Sequence, residues 1–86
     1  MTITKKTVAG KIAAYLHHKI TLSQLVDWAE RAMLHGRFAE QDVRAISAVV
    51  ARLGVADVRA FGLTWEDCTK LLRKLGYTPR VKVVAA

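Results

Sequence analysis

The chain has 86 residues, of which 52% are hydrophobic and 24% charged, with a net charge of +7 and one cysteine, Cys68. That size supports one domain, the apolar content excludes an intrinsically disordered polymer, and one thiol excludes a disulfide framework. Runs of ~18 apolar residues, the length that spans a bilayer, are missing, and the basic start, Met1 to Lys6, is not followed by the apolar core of a secretory signal, so a cytoplasmic protein is expected.

The first predicted element is a helix from about Lys5 to Lys19, behind an N-capping Thr4. Val8, Ile12, Tyr15 and Leu16 recur on one helical face, and Gly10 inside it costs roughly 1 kcal/mol relative to Ala. A second helix is predicted over Leu22–His35. Thr21 and Gln24 have the spacing of a capping box, and Leu22, Leu25, Val26, Ala29 and Met33 form an apolar stripe flanked by Trp28. Asp27 and Arg31, four apart, suit a surface ion pair. A third helix is expected from about Ala39 to Leu53, with Val43, Ile46, Val50 and Leu53 inward. A short helical turn, Ala56 to Phe61, would follow, its Val58 and Phe61 plugging the bundle end. The last helix is predicted over Trp65–Leu75, with Trp65, Cys68, Leu72 and Leu75 inward and Thr64 and Asp67 as a weaker capping box. Gly36, Gly54, Gly62 and Gly76 each close an apolar segment, where positive φ is cheap for glycine. Beyond Gly76, Tyr77 to Val84 alternates and is β-branched, and Pro79 stops any helix.

These elements predict an all-α fold, a compact four- to five-helix orthogonal bundle over residues 1–76, with a short extended C-terminal tail over 77–86. A lone strand needs a partner, so the tail packs on the bundle or pairs with another chain.

Charge is uneven along the chain. Residues 1–19 carry +4 by count, 20–67 carry −2, and 68–86 carry +5. If the first and last helices are neighbours, Lys5, Lys6, Lys11, Lys70, Arg73 and Lys74 are candidate phosphate contacts; the plainer reading is a solvated basic exterior. A helix-turn-helix centred on Gly54 would leave a recognition helix, Ala56–Phe61, of only ~6 residues, too short to read base edges well.

Chemistry-bearing residues are few. His17 and His18 are adjacent and point about 100° apart on a helix, which does not suit one metal. His35 fits a helix C-terminus. Cys68 has the phase of a buried residue, and Glu66 and Asp67 fit the first turn of a helix, where the dipole favours negative charge. No catalytic constellation, metal site or cofactor-binding motif is legible, and the expectation is a protein that is not an enzyme and uses no cofactor.

Ile12-Ala-Ala-Tyr-Leu-His-His-Lys-Ile-Thr-Leu-Ser-Gln-Leu-Val-Asp-Trp28 resembles the opening of small bacterial immunity-type helical proteins. Arg52 to Asp67 is similar to a small uncharacterised bacterial helical family. The immunity resemblance implies inhibition of a toxin by binding it, and the basic charge here suits an acidic partner. The expected function is that of a non-enzymatic interaction protein, binding a protein partner or a second copy and using Arg80, Val81, Lys82 and Val83 of the tail. The alternative is nonspecific nucleic-acid binding through the basic ends. No membrane partner is expected.

Overall fold

The computed structural model describes residues 2–85, so Met1 of the expected bundle and Ala86 of the expected tail lie outside the described residues. The fold is an all-α bundle with a minute parallel strand pair. A strand β1 (Thr2–Ile3) leads into helix α1 (Lys5–Leu16) and then α2 (Leu22–His35). Strand β2 (Arg37–Phe38), a 3-10 turn at Glu40–Asp42, α3 (Val43–Gly54) and α4 (Trp65–Lys74) complete the order.

Helix starts follow their caps. Thr4 Oγ1 accepts from the Thr7 N–H at 3.2 Å, Thr21 Oγ1 from Gln24 at 3.1 Å and Thr64 Oγ1 from Asp67 at 3.1 Å. All three are reciprocal capping boxes, so two orphan donors are satisfied at each helix start. Helix ends are less uniform. Gly76, at φ +87°, closes α4: its N–H donates to Arg73 O at 3.0 Å and the next N–H, of Tyr77, donates to Leu72 O at 2.9 Å. The same arrangement ends α1, but with His18 at φ +60° in the glycine position and the Lys19 N–H reaching Ala14 O at 2.8 Å. The predicted helix to Lys19 therefore stops at Leu16. A histidine in the left-handed region costs on the order of 1 kcal/mol and gives no sequence warning.

Gly36 departs from its predicted role. Its φ is −79°, so positive φ is not what it supplies. A Cβ there would collide with Ile3 Cδ1 and lie 2.5 Å from Ala32 O, so the glycine makes room for β1. Thr2 pairs with Arg37 and Ile3 with Phe38, and the Ala39 N–H donates to Ile3 O at 3.0 Å. This docking brings Ile3 fully into the core.

The core joins Ile3 and the inner faces of all four helices: Val8 and Ile12, Leu25 and Ala29, Ile46, Val50 and Leu53, and Cys68, Leu72 and Leu75. Several other expectations fail. The third helix begins at Val43 rather than near Ala39, behind the 3-10 turn. Ala56–Phe61 forms successive four-residue turns, Val58 N–H to Val55 O and Phe61 N–H to Val58 O, not a helix. The short recognition helix is thus absent, and Val58 and Phe61 are exposed instead of plugging the bundle. Met33, Val43 and Trp65 are also exposed, whereas Trp28 is buried. Arg31 Nε donates to the Asp27 carbonyl at 3.4 Å rather than pairing with its carboxylate.

Candidate docking groove and tail

Helices α1 and α4 pack against each other, and Gly76 turns the chain so that the tail borders both. Between them lies a groove of about 350 Å³ lined by Ala13, Leu16, His17, Trp65, Leu72, Pro79, Arg80 and Val81. Ala13 and Leu16 come from the last turns of α1, and Leu72 from the inner face of α4. Trp65 is 47% exposed because it opens α4 right after the Thr64 cap, where there is no preceding turn to cover it. A shallower depression continues toward the start of α1, lined by Lys6, Ala9, Gly10, Ala13, Leu72, Tyr77, Thr78 and Pro79.

From Thr78 to Ala85 the chain forms neither helix nor strand. The Tyr77 N–H makes the last backbone hydrogen bond; none joins 78–85 to the body among the described residues. Val81, Val83 and Val84 are 71%, 91% and 70% exposed. The tail thus offers open backbone donors and acceptors alongside unburied β-branched side chains, the properties of an unpaired edge strand.

The predicted phosphate contacts have different surroundings. Lys5 Nζ lies 3.6 Å from an Asp42 carboxylate oxygen. Lys6 borders the depression beside the tail. Lys11 Nζ sits 5.7 Å from the Trp28 ring centre, a cation–π distance on the flank toward α2. Lys70 and Lys74 share a shallow groove against α3 with Arg52 and Asp67, and Arg73 is exposed in the last turn of α4.

Arg52 is the chief polar tie of the fold. Its Nη2 donates to Gly62 O at 3.0 Å and to Asp67 Oδ2 at 3.4 Å, and its guanidinium stands 5.7 Å from the Phe61 ring centre. Nη1 is buried without a hydrogen-bond partner. Asp67 in turn accepts from the Thr64 N–H at 3.0 Å. That backbone bond, then the Thr64 hydroxyl, and after them the charges of Arg52 and Lys70, hold the Asp67 carboxyl below its ordinary value against a partial desolvation cost. A depressed folded-state pKa means stability that is present above the unfolded value and lost as pH falls through the folded one. The thermal midpoint is therefore expected to fall as pH drops below about 4, and Asp67→Asn should flatten that fall. An unchanged acid limb in the variant would remove Asp67 from the account.

Cys68 is fully buried, and burial, followed by the nearby Asp67 charge, pushes its thiol up to about 11. It is a protonated core side chain at neutral pH, not a poised nucleophile. Glu66 and Asp67 serve the start of α4, Asp67 as the capping-box acid. Among the described residues no cluster of three or more His, Cys, Asp or Glu is placed to hold a metal ion. No helix of the described residues is long and apolar enough to cross a membrane.

The groove residues Ala13, Leu16, His17, Trp65 and Leu72 were not legible as a site, because only the meeting of α1 with α4 assembles them. No protein-family model, curated protein or solved structure matches this chain.

Proposed function

We propose that the protein is a non-enzymatic binding module that engages a protein partner by adding its C-terminal tail to the partner as an extended strand. The carrying observation is that the backbone of 78–85 is unpaired while Val81, Val83 and Val84 stand in solvent. Strand addition satisfies both at once: main-chain hydrogen bonds supply affinity, and alternate side chains supply selection. The neighbouring groove supports the same reading, since its apolar floor of Ala13, Leu16 and Leu72 is open to a side chain from an added strand.

A chain truncated after Thr78 keeps the Tyr77 N–H that caps α4. It is expected to retain the helical far-UV spectrum of the full chain and to lose association with partners. Equal association by the truncated and full chains, measured by sedimentation or isothermal titration, would overturn the tail reading. Tight, salt-sensitive binding of a labelled duplex that survives truncation would favour nucleic-acid contact instead, centred on Lys70 and Lys74, which share one groove.

A further inference from the structure

We infer that the segment this tail pairs with is an acidic extended strand, and that the tail's own charge keeps two copies of the chain from pairing through it. The inference rests on the tail acting as an added strand. In an extended strand Arg80 and Lys82 point to one face, and Val81 and Val83 to the other. No acid occurs between Cys68 and the end of the chain. Neither Arg80 nor Lys82 is in an ion pair among the described residues, whereas Lys5 and Arg52 each have a carboxylate.

Consider two copies paired through their tails. The antiparallel registers that overlap 78–85 most fully while keeping Val81 and Val83 on one face set Arg80 opposite Lys82 twice, or Lys82 opposite itself with Arg80 opposite Val84. An in-register parallel pair sets each cation opposite its own copy. Like charges directly opposite are destabilising, and opposite charges there are favourable. A second copy is therefore a poor occupant, and a strand with carboxylates at those positions is a good one.

The adjoining surface agrees. The groove beside the tail is lined by His17 and Arg80 as its polar residues and by no carboxylate, and in the continuing depression the charged lining residue is Lys6. An entering strand would meet cations along its polar positions and the apolar floor, Leu16, Trp65 and Leu72, at the alternate ones.

The test uses the full chain, isotopically labelled for amide NMR, and two peptides of sequence 77–85. One peptide is unaltered; the other carries R80E and K82E. The acidic peptide is expected to shift the amides of Thr78 and of 80–85 together with those of His17 and Leu72 and the Trp65 indole. At low salt it should bind up to about 30-fold more tightly than the unaltered peptide, because two cross-strand charge pairs turn from repulsive to attractive where position 80 faces 82 or its own copy, and one pair does where 82 faces 82. Raising the salt should narrow that gap. The full chain carrying R80E and K82E should reverse the preference. If the unaltered peptide binds the same residues as well as the acidic one, the charge inference fails while strand addition stands. If neither peptide perturbs 78–85, or the acidic peptide shifts only Lys70 and Lys74, both readings fail together.

Discussion

Replacing Ile46 by Ala is expected to cost about 2–5 kcal/mol of unfolding free energy. Ile46 is fully buried on α3, whose inner face packs against α2 across the largest helix contact of the fold. Truncation removes the transfer free energy of three carbons and leaves a void that the surrounding core can only partly refill. Domains of this size have unfolding free energies on the order of 5–15 kcal/mol, so the loss is a large share of the whole. Urea denaturation should show a lower midpoint with an unchanged slope, and the thermal midpoint should fall by roughly 10–30 °C. A loss under about 1 kcal/mol would mean that α2 and α3 are not packed as described.

Gly36→Ala is expected to be the most damaging conservative change in the chain, at about 2–4 kcal/mol, near the upper end of overpacking costs. The added methyl would meet Ile3 Cδ1 and the Ala32 carbonyl oxygen, and that oxygen already accepts the Gly36 N–H at 2.9 Å. The carbonyl belongs to helical backbone and cannot swing aside without breaking the last turn of α2. Ile3 is the neighbour able to move, and moving its Cδ1 disturbs a fully buried side chain on the strand that pairs with β2. In an Ile3→Ala background the same glycine change should cost at least ~1 kcal/mol less, a coupling typical of residues in contact. Additive losses in denaturant melts would assign the damage to the carbonyl alone.

Much of the helical framework was legible because its signals are local. Thr21 with Gln24 and Thr64 with Asp67 mark their helix starts through side-chain-to-backbone bonds within four residues, and Gly76 marks an end through its φ. The 3.6-residue spacing of Leu25, Ala29, Ile46, Val50 and Leu53 identified buried faces without any tertiary knowledge. What escaped is non-local or depends on one unusual residue. The pairing of Thr2–Ile3 with Arg37–Phe38 is two residues long on each side and joins segments more than thirty positions apart, so no pattern announces it. His18 takes the conformation that Gly76 takes, without the residue that predicts it. Phase alone sent Trp65 and Val43 inward, yet each begins its helix and stands exposed there. Of the candidate site, the tail could be read from Pro79 and the valine alternation, but the groove could not, since its walls are separated by some fifty residues of chain.

The Arg52 tie bears on how the molecule opens. Residues 55–64 lack helix and strand, and they connect α4 to the rest of the bundle. Across that stretch Arg52 reaches from α3 to Gly62 and Asp67, so one side chain fastens both the connection and the start of α4. If α4 and the tail open as one unit while α2 and α3 stay paired, the Arg52 tie is what that opening must break. Because the groove exists only while α4 rests on α1, anything seated in it binds the attached form alone and draws that local equilibrium shut. Amide exchange in α4 is then expected to slow when the groove is filled, and loss of the Arg52 tie is expected to speed it in the empty molecule.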